Sequence, residues 1–187
     1  VTNSLVALFP EVASQWHPMR NGDIESNTII AGSPKKYWWK CPVAEDHEWQ
    51  TTVHSRTTGL GCPCCSGRKA STTNSLASLY PDLAIQWHPT KNGELTPQQV
   101  PAGSHKKAWW KCPVSTDHVW HSSIVSRTRL GNGCPSCAGR QASTTNSLSV
   151  SFPELAAQWH PTKNGELTPE QVPAGSGKKY WWKCPAA

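Results

Sequence analysis

The chain has 187 residues, a formal charge of +6, 36% hydrophobic and 16% charged residues, which describes one globular domain or two small ones and excludes a disordered polyelectrolyte. Sixteen prolines and thirteen glycines exclude long helices. No apolar run reaches the roughly 18 residues of a membrane-spanning helix, and the opening "VTNSLVALFP" lacks the basic start and cleavage site of a secretory signal, so a soluble, cytoplasmic chain is expected.

The first residue is Val1 and not methionine, as in a piece of a longer protein. Eight cysteines without an export signal favour metal ligands over disulfides, and spacing has to decide between them.

Self-similarity organises the chain. "TNSLVALFPEVASQWHP", "TNSLASLYPDLAIQWHP" and "TNSLSVSFPELAAQWHP" recur with Asn3, Asn74 and Asn146 equivalent, 71 and then 72 residues apart. "KKYWWKCP", "KKAWWKCP" and "KKYWWKCP" return at the same interval and end on Cys41, Cys112 and Cys184. The organisation is repeat 1 at 1–69, repeat 2 at 70–140 and a truncated repeat 3 at 141–187 that lacks the second half of its metal site.

Each repeat begins with a short helix. Pro10, Pro81 or Pro153 suits the first helical position, and Leu83, Ala84 and Trp87 share one face of the second copy. Trp-His-Pro ends it, because proline disfavours helix in the residue before it. "TPQQ" at 96–99 and "TPEQ" at 168–171 match a threonine cap with glutamine three positions on, whereas "ESNT" at 25–28 is a poorer match. Strands follow: "KKAWWKC" is aromatic and β-prone, and "HVWHSSIVSR" sets Trp120, Ser122 and Ile124 on one side. "RTTGLG" and "RTRLGNG" mark a glycine turn that absorbs the one-residue difference in length.

Superposing the repeats separates ligands from bystanders. Cys41, His47, Cys62 and Cys65 match Cys112, His118, Cys134 and Cys137, giving Cys-x5-His, fourteen or fifteen residues, then Cys-x2-Cys. Cys64 matches Ser136, His54 matches Val125, His121 matches Gln50 and His105 matches Pro34, so none of these recurs. Three thiolates and one imidazole in two short loops suit a tetrahedral Zn²⁺, and four protein donors leave no position for an activated water. The two ions are therefore expected to be structural, adding on the order of 10 kcal/mol to units too small for a large core. The tryptophans around the cysteines would wall off the thiolates. Disulfide pairing would leave His47 and His118 without a role. Cys184 is expected to be a metal-free thiol unless a neighbouring chain supplies ligands. His160 is a substitute ligand only if Trp-His-Pro does not serve the packing or capping role that its presence in all three repeats indicates.

The elements "NSL", "PDLAIQWHP", "GSHKKAWWKC", "DHVW", "SRT" and "GCPSCAGR", in this order over nearly the whole chain, resemble the tandem zinc-ribbon or treble-clef-like zinc-finger repeats of uncharacterised bacterial and viral proteins. The resemblance implies small α+β zinc-finger repeats, each a short helical segment plus a zinc-bound β-hairpin. It further implies association with nucleic acid, sometimes beside a nuclease or other catalytic domain in the parent chain. "CPCC" at 62–65 departs from the pattern, and its extra thiol leaves open which cysteine pair binds in the first repeat.

Charge gathers on the metal halves. Repeat 2 carries Lys106, Lys107, Lys111, Arg127, Arg129 and Arg140 against Asp117, and repeat 1 carries Lys35, Lys36, Lys40, Arg56, Arg68 and Lys69 against Glu45, Asp46 and Glu48. Two anionic zinc centres would leave a net charge of about +4. Arg56, Arg68, Arg127 and Arg140 are the leading candidates for phosphate contacts, followed by Lys35, Lys36, Lys106 and Lys107. In the pairs Trp38–Trp39, Trp109–Trp110 and Trp181–Trp182, one ring should enter the core and the other either pack on the helical part or serve as a base-stacking platform. Glu11, Asp82 and Glu154 recur singly, with no paired acids, nucleophile–base set or phosphate loop. The expected function is a non-enzymatic array binding nucleic acid, with DNA favoured and no membrane partner; a protein-interaction or spacer array is the alternative.

Overall fold

The computed structural model describes residues 2–184. It divides into two compact units, the first running to Pro81 with Leu95–Ser104 added, the second comprising Asp82–Glu94 and the chain from His105 onward.

In the first unit, α1 (Leu5–Leu8) is started by Ser4, whose hydroxyl accepts the Ala7 N–H at 3.3 Å. The sequence offered no separate helix here. Leu5 is fully buried, and its N–H donates to Ile29 O at 2.7 Å, fixing α1 to the stretch after a 3-10 turn at Ser26–Thr28. α2 (Pro10–Ala13) opens on proline as expected. Beyond it the chain lies against β1 (Lys36–Lys40), with Lys40 N–H donating to Gln15 O at 2.8 Å and His17 N–H to Trp38 O at 3.1 Å.

β1 pairs antiparallel with β2 (Glu48–Thr52), Trp39 opposite Trp49. Their two-residue period turns Tyr37, Trp39 and Trp49 inward, where they meet Leu5 and Val53, flanked by Phe9, Val12 and Trp16. Trp16 meets Trp39 edge to face, centroids 5.4 Å apart. The strand stops at Thr52, whose hydroxyl caps α3 (Val53–Thr57) by accepting the Ser55 N–H at 3.0 Å. α4 (Leu76–Leu79) and a 3-10 turn at Pro97–Gln99 complete the unit, joined by Leu76 N–H donating to Val100 O at 2.9 Å.

α5 (Pro81–Ala84) begins at the junction of the two units. In the second unit β3 (Lys107–Lys111) pairs with β4 (Val119–Ser123), Trp110 opposite Trp120, and α6 (Ile124–Thr128) follows. The expected strand through "IVSR" is thus corrected in both copies: Ser123 accepts the Ser126 N–H and turns the chain into a helix. α7 (Leu148–Ser151) and α8 (Pro153–Ala156) repeat the opening helices. Capping boxes stand at Thr96 and Thr168, while the 3-10 turn at Ser26–Thr28 has no side-chain cap, as the poorer "ESNT" match implied. No described helix is long and apolar enough to cross a membrane.

Candidate metal centre

The reversal between β1 and β2 carries Cys41 and His47, and Cys41 N–H donates to His47 O at 2.9 Å, so both side chains leave the same end of the hairpin. The turn after α3 brings Cys62 and Cys65 to them, and the four ligand atoms lie within 4.8 Å of one another. Cys112, His118, Cys134 and Cys137 form the same group in the second unit.

The separations suit a tetrahedral dication. Bonds of about 2.3 Å to sulfur and 2.0–2.1 Å to nitrogen give tetrahedron edges of about 3.8 Å between sulfurs and 3.6 Å from sulfur to nitrogen. Cys41 and Cys65 sulfurs are 3.6 Å apart, and His47 Nδ1 lies 3.7 Å from Cys62 Sγ and 3.5 Å from Cys65 Sγ. In the second group the Cys112–Cys137 separation is 3.6 Å, and His118 Nδ1 is 3.6 and 3.4 Å from Cys134 and Cys137. A disulfide needs about 2.05 Å between sulfurs, and all the described cysteines are free thiols.

The tetrad settles the ambiguity in "CPCC" by taking Cys62 and Cys65, while Cys64, 1% exposed, lies outside it in the place Ser136 takes in the second unit. Burial pushes the Cys64 thiol up, followed by the neighbouring Cys62 sulfur. Within the tetrads, burial first and the adjacent sulfurs second push Cys65 and Cys137 up to about 12. Cys62 goes the other way, because the Cys65 and Cys64 backbone N–H groups outweigh the raising effect of burial. Three thiolates this close repel, and a bound dication reverses that repulsion.

The imidazoles are held from behind. With Nδ1 facing the sulfurs, the His47 Nε2–H donates to Ser71 Oγ at 3.1 Å and Thr73 Oγ1 at 2.9 Å. His118 uses Ser143 and Thr145 identically, each at 3.0 Å. Asn74 Nδ2 donates to Cys64 O, and Thr72 N–H donates to Asp46 Oδ2 at 2.7 Å, holding the Asp46 carboxyl below its usual range. Asp117 is lowered to about 2, first by the Ser115 hydroxyl and then by the Thr144 N–H. These clamping residues come from "ASTTNSL", present unchanged at 70–76 and 142–148. That repetition was the available signal for them, although the sequence periodicity placed 70–76 at the start of the following repeat.

The remaining sites divide. Arg68 and Arg140 are exposed beside the metal turns, and Lys35, Lys36, Lys106 and Lys107 are exposed at the start of the first strands. Arg56 and Arg127 are a correction: each is 6% exposed and sits over two tryptophan rings, at 5.3 Å from Trp39 and Trp49 or 5.0 Å from Trp110 and Trp120. Their guanidiniums donate to Leu60 O and Gln15 Oε1, or to Asn132 O and Gln86 Oε1, so they do not reach a phosphate.

The histidine of Trp-His-Pro is a turn cap. His17 Nδ1 accepts the Met19 and Arg20 N–H groups, and its Nε2 lies 3.0 Å from Glu48 Oε1. His160 Nδ1 likewise accepts from Thr162 and Lys163, which engages it in a cap, while Cys184 stands exposed and belongs to neither tetrad.

A short hairpin closed at one end by three sulfurs and a nitrogen, and built twice in tandem, defines a metal-binding finger of the treble clef type. The chain belongs to the family described as probable treble clef zinc finger domain, whose model matches residues 12–68, 83–140 and 155–187. A comparison with curated proteins found no match.

Proposed function

We propose that each tetrad holds one Zn²⁺ as a structural ion and that the repeats are a non-enzymatic module binding nucleic acid, with DNA the favoured partner. The carrying observation is that both metal halves present exposed cations at equivalent places: Lys35, Lys36 and Arg68 in one, Lys106, Lys107 and Arg140 in the other. Cations set on a rigid scaffold neutralise phosphates and release counterions. Arg56 and Arg127 no longer belong to that set. Trp38 and Trp109 are not bare platforms either, since Arg20 lies over one ring at 4.6 Å and Lys91 over the other at 4.8 Å. The reading is therefore of phosphate contact rather than base stacking. Four protein donors per ion support a structural and not a catalytic metal.

Titration of the zinc-loaded chain with duplex and single-stranded DNA and RNA at two salt concentrations tests this. Affinity should fall with salt, and replacing Lys107 and Arg140 together by Gln should lower the log–log slope by about 0.9 for each phosphate that is no longer neutralised. Salt-independent binding, or none at low salt, removes the reading.

One observation favours a protein partner instead. Val43 and Val114 occupy equivalent positions on the metal loops and are 64% and 73% exposed. A protein-binding array would lose its partner on substitution of both by Ser while nucleic-acid retention stayed unchanged.

A further inference from the structure

A buried guanidinium is costly unless an anion lies close by. Among the described residues neither Arg56 nor Arg127 has a carboxylate partner; Arg20 pairs with Glu48, and the remaining close nitrogen–carboxylate contacts are His17 with Glu48 and His118 with Asp117. Asp46 and Glu48, which flank His47 in the chain, are engaged elsewhere, Asp46 by Thr72 and Glu48 by His17 and Arg20. Both arginines also keep a buried Nε without a hydrogen-bond partner. Carbonyl acceptors and ring faces solvate these cations without neutralising them.

Their placement points at the metal. Arg56 covers the Trp39–Trp49 pair, two rungs before Cys41 and His47, and donates to the carbonyl of Leu60, two residues before Cys62. Arg127 covers Trp110–Trp120 and donates to Asn132 O at 2.7 Å, two residues before Cys134. Burial lowers each guanidinium's pKa, and the charges that oppose this are Cys62 and Cys41 in one unit, Cys134 and Cys112 in the other. Three thiolates, a neutral imidazole and a dication carry one net negative charge.

We infer that Arg56 and Arg127 are the internal counter-ions of the two metal centres, each cancelling the single negative charge of its own Cys3His site. The pairing makes each metal half neutral inside while its surface stays basic. It also makes the arginine and the metal interdependent: without the ion's thiolate cluster the guanidinium is buried with no counter-charge, and without the guanidinium the anionic centre has no buried cation to cancel its charge. The acceptors Gln15 and Gln86 hold the guanidinium in register, and their backbone carbonyls accept from Lys40 and Lys111 on the first strands.

The test separates charge from packing and uses the full chain. Zn²⁺ affinity is measured by chelator competition for the unaltered chain, R56M, C65H and the double variant R56M/C65H. Cys65 is exposed, and His there makes a neutral centre of two thiolates, two imidazoles and one dication. R56M should weaken the first site by about 10–100-fold in the Cys3His background and by less than about threefold in the C65H background, the second site being unchanged in both. A double variant that folds where R56M alone does not gives the same answer. Equal losses in both backgrounds, or none in either, overturn the proposal, because a purely packing arginine is indifferent to the charge of the centre. The inference rests on the metal-binding reading of the tetrads, and failure of that reading is distinguishable: the unaltered chain would then take up no Zn²⁺.

Discussion

Repeats 2 and 3 share "WWKC" after the same helical segment, yet their second tryptophans differ: Trp110 is fully buried, whereas Trp182 is 43% exposed. The helical side packs on both in the same way. Trp87 and Trp110 meet edge to face at 5.5 Å, Trp159 and Trp182 at 5.4 Å, and a single bridge joins each pair's backbones. Trp110 has β4 and Trp120 beyond it and Arg127 over its ring, while residues 177–184 form no strand. The helical part therefore positions the tryptophan, and the metal-bearing hairpin buries it.

Chelating the metal should convert the first kind of tryptophan into the second, and this is the largest effect expected. Coordination contributes on the order of 10 kcal/mol to such a fold. Indole emission should move to longer wavelength as Trp39, Trp49, Trp110 and Trp120 gain water, and β signal in circular dichroism should fall. Emission and quencher accessibility unchanged by complete metal removal would show that the hairpins close without the ion.

A middle-sized effect comes from truncation. Trp110→Ala removes a buried aromatic and should cost about 3–5 kcal/mol. Trp182→Ala, half in water already, should stay within about 1 kcal/mol. Urea unfolding of the two metal-loaded variants measures the difference, and equal costs would mean that the hairpin adds nothing to the environment of Trp110.

Repetition made the ligands legible in the sequence, since superposing two copies isolates Cys41, His47, Cys62 and Cys65 and discards Cys64, which the fold leaves outside the tetrad. Prolines at helix starts and the Thr96 and Thr168 caps were legible because they are local. The misplaced arginines rest on charge beside the metal loops, which carries no information on burial. A cap at Ser123 ends the strand that Trp120, Ser122 and Ile124 suggest and starts a helix in which Arg127 stands three residues from buried Ile124 and on its face. Arg56 follows buried Val53 in the same way. The cap competes with the strand through one hydroxyl–amide bond, a difference too small for hydrophobic pattern to register.

The smallest effect concerns the asparagine that joins the helical part to the first strand. Asn92 Nδ2 donates to Trp109 O at 2.9 Å and its Oδ1 accepts the Trp109 N–H at 2.8 Å; Asn164 holds Trp181 with the same two bonds at 2.9 and 2.8 Å. The side chain stands in for a third strand at both places, but water competes differently, Trp181 being 59% exposed and Trp109 half-buried. Asn92→Ala should cost about 1–2 kcal/mol and Asn164→Ala about 0.5 kcal/mol. Amide hydrogen exchange reads each lock directly. In the unaltered chain the Trp181 N–H should be protected, and Asn164→Ala should abolish that protection. Asn92→Ala should only reduce protection at Trp109, because pairing with β4 keeps the strand in place. A Trp181 amide that exchanges freely in the unaltered chain would mean that the asparagine lock forms only once the hairpin is present, which would reverse the order of dependence between the two halves of a repeat.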